Sequence, residues 1–288
     1  MDVKVLPFKI PKPENNVLIY QVDQGQQFYD RLHQHEEIQI SIVLEGEGDL
    51  VVGDTINRYG KNVIVVIGSN VPHLFRSDSS SSKKSHMLTL FFTKDSFGKF
   101  FFDLIEMREL ESIFKRIYSG IQVEDHLEAI RKLFLGLEKE SHLERFITFL
   151  NILKHISKAK TKSLSSFIYS KVYSDDEGER MSNVMNHAIS NFNKDITLDE
   201  VAGIANMTPN AFCRYFKQRT NKTFFQFLLE VRLEHACRLL LKSKDLNVSQ
   251  ISYASGFKNI SNFNRKFKEL KGTTPTLYRN SEQTQKFA

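Results

Sequence analysis

The last third of this chain is one pattern written twice, and that repeat constrains the fold more than any other feature. Thr197-Leu198-Asp199-Glu200 and Asn247-Val248-Ser249-Gln250 both have the form of capping boxes, a side-chain oxygen at the N-cap with Glu or Gln three residues on. Val201 and Ile251, Ala205 and Ser255, and Met207 and Phe257 then recur at an offset of 50. Beyond the intervening turn the offset becomes 51, and Phe212-Cys213-Arg214-Tyr215-Phe216-Lys217 aligns with Phe263-Asn264-Arg265-Lys266-Phe267-Lys268. Asn206 and Gly256 occupy the turns, and these residue types best tolerate a left-handed backbone. Each half reads as helix, tight turn and second helix, over about 198–219 and 248–270.

Between the halves, Thr223-Phe224-Phe225-Gln226 is a third capping box, opening a helix that runs to about Leu241. Such a helix is about 27 Å long at 1.5 Å per residue. With the widths of the helices added, that spacer sets two second helices about one DNA turn (~34 Å) apart. Charge points the same way. Residues 182–288 hold 16 Lys and Arg against 8 Asp and Glu, whereas the other 181 residues hold 24 against 26. The excess of positive charge is confined to the repeat, as expected of a surface for a polyanion.

Within each second helix the spacing separates core from surface. Thr208 suits an N-cap and Pro209 the first helical position, while Phe212 and Phe216, four apart, face inward. That leaves Asn210, Ala211, Cys213 and Arg214 outward in the first helix. Phe263 and Phe267 are the inward pair of the second, leaving Ser261, Asn262, Asn264 and Arg265. Arg forks onto guanine and Asn onto adenine, so these eight are the candidate base readers. Thr208, Lys217, Lys222, Lys258, Asn259, Lys266 and Lys268 are the candidate phosphate contacts.

The preceding residues have a different texture. Val17–Val22, Ile38–Leu44, Asp49–Val52, Val63–Ile67 and Met87–Phe92 read as short strands punctuated by glycine, the pattern of a small antiparallel barrel or sandwich. Ser77–Ser85 reads as a polar loop between strands. The period then becomes helical. Leu127/Ile130/Phe134/Leu137 and Leu143/Phe146/Leu150/Leu153 form two apolar stripes, from which we expect a helical hairpin that makes a homodimer through one of them. The domain boundaries follow as 1–157, a linker at 158–181, and 182–288.

Composition excludes other classes. The chain is 41% hydrophobic and 26% charged, which is ordinary for a globular protein and not for a disordered one. Its longest apolar runs, such as Val63–Ile67, are far below the roughly 18 residues of a membrane span. Met1–Pro13 has no apolar secretory core, and two cysteines, Cys213 and Cys237, make no disulfide framework; a cytoplasmic protein is expected. No nucleophile–base pair, phosphate loop or paired-carboxylate site stands out, so an enzyme is not expected.

Residues 182–280 resemble the DNA-binding domain of the AraC/XylS family of bacterial transcription regulators. The likeness spans both helix-turn-helix units, the linker helix with Arg232, Ala236 and Leu240-Leu241, the Gly256-Phe257 turn, and Gly272-Thr273-Thr274-Pro275-Thr276-Leu277-Tyr278-Arg279. One departure is Asn206, where family members usually have Gly. The N-terminal third resembles the cupin-like sensor domain that often precedes it, through His33-Gln34-His35, Ile38–Leu44, Glu45-Gly46-Glu47-Gly48 and Gly68-Ser69-Asn70-Val71-Pro72-His73.

A metal cupin needs two close His, a carboxylate four residues on, and a later His. Here that position is Gln39, with Glu36 and Glu37 nearby, so no metal or other cofactor is expected. His33, His35, Gln39 and His73 are instead assigned to an effector pocket, the first three alternating on one strand face, suited to small polar or anionic ligands. The arm Pro7–Pro13 and the Ser77–Ser85 loop are candidates to close over it.

The resemblance implies an α+β protein: an N-terminal cupin-like antiparallel β-barrel with following helices, then an all-α domain with two helix-turn-helix units joined by a linker helix. It implies a regulator that binds double-stranded promoter DNA, answers a small-molecule effector, and acts with RNA polymerase. The competing readings are a metal-dependent cupin enzyme fused to a DNA-binding module, and an effector-independent DNA-binding protein whose barrel serves assembly.

Overall fold

A computed structural model describes residues 17–78, 84–166, 175–243 and 245–285. The chain divides into two units, Met1–Glu179 and Arg180–Ala288. The arm Pro7–Pro13, residues 79–83 of the serine loop and residues 167–174 of the expected linker lie outside the described residues.

The strands of the first unit are β1 (Ile19–Gly25), β2 (Ile38–Glu45), β3 (Gly48–Val52), β4 (Thr55–Tyr59), β5 (Ile64–Ile67), β6 (His73–Ser77), β7 (Ser85–Phe92), β8 (Ile121–Val123) and β9 (Thr161–Ser163). They form two antiparallel sheets, ordered β1-β7-β2-β5-β8-β9 and β4-β3-β6. The two-residue period of the strands divides their side chains between two cores. Ile38, Ile40 and Ile42 of β2 and Leu88, Leu90 and Phe92 of β7 face one core, under the helices. Val43 and Met87 face the other with Leu50, Val52 and Phe75 of the smaller sheet.

The helices covering the outer face are α1 (Glu111–Arg116), α2 (Leu127–Gly136) and α3 (His142–Lys158), the last opened by a Ser141/Glu144 capping box. Two expectations change here. Ile130, Phe134, Leu137 and Leu153 of the apolar stripes are buried, with Leu127, Phe146 and Leu150 packed against them, so both stripes are consumed inside one subunit. Only Leu143 (69% exposed) of the named stripe residues, with its neighbour Ile147 (51%), is left at the surface. The linker also starts later than residue 158. Thr161–Ser163 pairs with β8, and Leu164 is buried between the sheets. A strand of three polar residues has no periodicity to announce it; its partner strand creates it.

The second unit follows the repeat. Its described helices are the part of α4 (Asp175–Asn191) from Arg180 on, then α5 (Leu198–Ile204), α6 (Pro209–Thr220), α7 (Phe224–Lys242), α8 (Val248–Ala254), α9 (Ile260–Lys271) and α10 (Pro275–Gln285). All three expected capping boxes close, at Thr197/Glu200, Thr223/Gln226 and Asn247/Gln250. The turns match as well: Met207 N donates to Ala202 O at 2.9 Å, and Phe257 N to Ser252 O at 3.1 Å.

Candidate nucleic-acid interface and a histidine pocket

In the second unit, Phe212 and Phe216 pack on Phe224 with ring centroids 5.8 and 5.6 Å apart, and Phe263 and Phe267 pack with Phe257 and Tyr278. These anchors fix which face of α6 and α9 is turned out. Asn210, Cys213, Arg214, Ser261, Asn262, Asn264 and Arg265 are exposed, and Ala211 is half-buried beside them. Arg265 is held along its own helix: its Nη2 donates to Asn262 Oδ1 at 2.9 Å, and Glu269 lies 3.8 Å from Nη1.

The candidate phosphate contacts divide into distinct groups. Thr208 and Asn259 are N-caps, accepting from Ala211 N, and from Ser261 N and Asn262 N. Lys217 and Lys268 are exposed in the last turns of α6 and α9. Lys222, Lys258 and Lys266 hold carboxylates, with Glu230, Asp195 and Glu269 at 2.9, 2.5 and 2.9 Å. Lys222 is largely enclosed beside Glu230.

The turns explain the Asn206/Gly256 difference. Both are left-handed, with φ of 52° and 82°. A Cβ on Gly256 would stand 2.6 Å from Phe192 O and 2.9 Å from Arg232 Nε. Arg232 is committed there, donating from Nε to Phe192 O at 2.7 Å and from Nη2 to Lys194 O at 2.9 Å. Glycine is needed in the second turn because backbone approaches it, while the first accepts Asn.

In the first unit the structure brings His33, His35, His73 and Gln39 together, by a route other than one strand face. His33 and His35 lie on the run before β2, and His33 forms an antiparallel bridge with His73, N to O at 3.0 and 2.9 Å. His35 Nε2 and His73 Nε2 stand 3.2 and 3.0 Å from Gln39 Oε1. Burial holds the His33 imidazole down to about 4 and that of His73 well below its ordinary value, so both are neutral. Glu37 is buried and its Oε2 lies 3.7 Å from His35 Nδ1, on the side away from Gln39.

A cavity of about 50 Å³ opens beside this cluster, lined also by Gln21, Asp23, Phe28, Tyr29, Phe75, Met87 and Phe91. Asp23, its carboxyl pushed upward by burial, is an acidic wall that the sequence reading missed. It is half-buried in β1 and became legible only when β1 paired with β7. As for the metal that a cupin fold implies, the donor set fits one. The ring nitrogens of His33, His35 and His73 lie within 4.8 Å of one another, and imidazole nitrogens with an amide oxygen suit a borderline divalent ion.

A second cluster was also missed. Asp54, fully buried after β3, accepts from Ser165 Oγ at 2.6 Å, Ser166 N at 3.1 Å and Ser166 Oγ at 2.5 Å. Asn57 Nδ2 donates to Leu164 O at 2.7 Å beside it. The turn that follows β3, the strand paired with β6 at His73, thus also holds Ser165 and Ser166.

Fold and site together define a protein with an N-terminal cupin domain and a C-terminal helix-turn-helix domain. Residues 201–281 match the family described as Helix-turn-helix domain, and residues 18–89 match the Cupin domain. Among curated relatives, the chain is 31% identical over 103 residues to the Uncharacterized HTH-type transcriptional regulator YdeC of Bacillus subtilis, which covers 36% of this chain and 35% of the relative. The chain therefore spans about a third of that relative's length. It is 25% identical over 252 residues to the Probable transcriptional regulator LumQ of Photobacterium leiognathi, covering 85% and 90%. Among solved structures it is similar to the DNA-binding domain of AdpA in complex with a target DNA, at 24% identity and a TM-score of 0.36, covering 37% of this chain and 96% of that one. Among the described residues no helix is long and apolar enough to cross a membrane.

Proposed function

We propose that this chain is a sequence-specific transcription regulator, and not an enzyme, working in the cytoplasm as a homodimer. The observation that carries this reading is the matched pair α6 and α9. Each is anchored by two buried phenylalanines, capped at its N-terminus, and faced with Asn and Arg. In this reading Arg214 and Arg265, with Asn210, Asn262 and Asn264, read base edges in successive major grooves of promoter DNA. Lys217 and Lys268 hold phosphates, and Thr208 and Asn259 orient the helix starts toward them. RNA polymerase is the partner through which occupancy reaches transcription.

The cupin domain is the sensor, with its effector at the histidine pocket. A ligand alters DNA binding only if it favours one of two states. The route that fits is β3. Val52 pairs with His73, Gly53 N donates to Pro72 O at 2.7 Å, and the next residue, Asp54, holds Ser165 and Ser166. The test is to select duplexes with the purified chain from a random pool and sequence them. A recurring pair of half-sites about one helical turn apart is expected; recovery of no sequence preference over the pool overturns the reading.

A further inference from the structure

We propose that Gln39 is the gate of a divalent-cation site. Its amide turns oxygen inward when a borderline transition-metal ion sits among His33, His35 and His73, and NH2 inward when none does. The inference deepens the reading of this pocket as the sensory site, but its binding experiments need neither DNA nor transcription.

The argument starts from tautomers. Each of the three rings sets Nδ1 against a backbone carbonyl: His33 on Arg31 O at 2.8 Å, His35 on Glu37 O at 2.9 Å, His73 on Val71 O at 2.8 Å. A carbonyl only accepts, so every Nδ1 carries the hydrogen, and in a neutral ring Nε2 is then a lone pair. Two of those lone pairs face one end of the Gln39 amide, at 3.2 and 3.0 Å. An amide oxygen there shares no hydrogen with either nitrogen, and the contact is favourable only with a cation among them. With no cation, the NH2 must face the rings and donate one hydrogen to each.

The far end of the amide permits both orientations. It lies 2.8 Å from Ser41 Oγ, which lies 2.8 Å from Thr89 Oγ1. Hydroxyls donate or accept, so turning the amide reverses the Ser41–Thr89 chain without losing a bond. Both residues are fully buried in β2 and β7, so ligand state is written into the sheet interior as a direction of hydrogen bonding. The surroundings select charge and size. The cavity is lined by Asp23 and, among the described residues, by no Lys or Arg, and about 50 Å³ holds an ion with a water but no sugar or aromatic acid. This replaces the expectation of an anionic ligand: the pocket converges acceptors. Imidazole and amide donors favour Zn²⁺, Co²⁺ or Ni²⁺ over Mg²⁺.

The experiment titrates the full-length chain, stripped with chelator, with Co²⁺, Zn²⁺ and Mg²⁺ by calorimetry, and records Co²⁺ absorption and ¹⁵N spectra of the imidazoles and the Gln39 amide. One equivalent of Co²⁺ or Zn²⁺ and none of Mg²⁺ is expected, with Nδ1-protonated rings throughout and a shifted Gln39 amide resonance on binding. Gln39→Glu, which adds an anionic ligand, is expected to bind about 10-fold or more tightly, and His73→Gln to lose the site. Absence of Co²⁺ and Zn²⁺ binding to the folded chain, or full binding retained in folded His73→Gln and His33→Gln, overturns the site. Unchanged affinity in Gln39→Glu, or a Gln39 resonance that does not move, overturns the gate. A chain that selects DNA but binds no cation loses only this inference, and one that binds the cation with unaltered DNA affinity loses only the sensory reading.

Discussion

Asp54 and Ser165 lie 111 residues apart in sequence and share a 2.6 Å hydrogen bond inside the first unit. The carboxylate gathers further bonds from both the amide and hydroxyl of Ser166, so one buried acid fastens the segment that follows β9. Charged groups are buried at this depth only when their acceptor capacity is filled.

Asp54→Ala leaves these donors without their acceptor, and a loss of about 1–3 kcal/mol in the stability of the first unit is expected, read by urea unfolding. Hydrogen exchange should quicken at Leu164–Ser166 while the amides of β2 and β7 stay protected. Uniform exchange across all three segments would show that Asp54 supports the whole sheet rather than the exit.

The two turns of the repeat should answer differently to substitution. Gly256→Ala places a Cβ 2.6 Å from a carbonyl oxygen at a φ of 82°, and is expected to cost several kcal/mol and to abolish DNA binding by the second unit. Asn206→Gly, at a φ of 52° that Gly adopts freely, should stay within about 1 kcal/mol of the parent chain. Thermal unfolding and DNA titration of both variants check this, and equal effects would refute it.

On DNA, Arg214→Ala and Arg265→Ala are each expected to weaken a selected site by about 1–3 kcal/mol and to relax preference at one base pair. Lys217→Ala should weaken all duplexes alike and lower the salt slope by about one. Because Glu269 lies against Arg265 and Lys266, Glu269→Gln should tighten binding to every sequence, most at low salt. An unchanged ratio of specific to random binding in both Arg variants would assign base reading to other residues.

Phe134→Ala should lower stability by about 3–5 kcal/mol, since its ring is fully buried under the sheet. Leu143→Ser with Ile147→Ser should leave the unfolding midpoint nearly unchanged and reduce self-association, as these side chains face outward on α3. Urea unfolding measures stability, and sedimentation over a micromolar range measures association; a parent chain that stays at 33.4 kDa throughout removes the homodimer from the proposal.

The legible parts share a cause. Capping boxes at Thr197, Thr223 and Asn247, and phenylalanines four apart in α6 and α9, are local chemistry, complete within one or two helical turns. They could be placed from the sequence, and with them the exposed face that carries Arg214 and Arg265. The strands rich in Val and Ile were legible for the same reason. Thr55–Tyr59 and His73–Ser77 were not, because polar and charged residues are interleaved in them and they become strands by pairing with both edges of β3.

By itself, then, the sequence determined the repeat, the helix starts, the apolar faces and the identity of the histidines, because each follows from side-chain type and spacing along one element. Tertiary structure decided which groups meet. It brought His33 onto His73 through a backbone bridge, aimed His35 and His73 at Gln39, and turned Asp23 toward the cavity. It spent the apolar stripes of α2 and α3 on the chain's own sheet, and it fastened Ser165 to Asp54. Apart from His35 and Gln39, four positions apart, those relationships join residues tens to more than a hundred positions apart. Strand pairing and burial select them, and neither is written in any local run of residues.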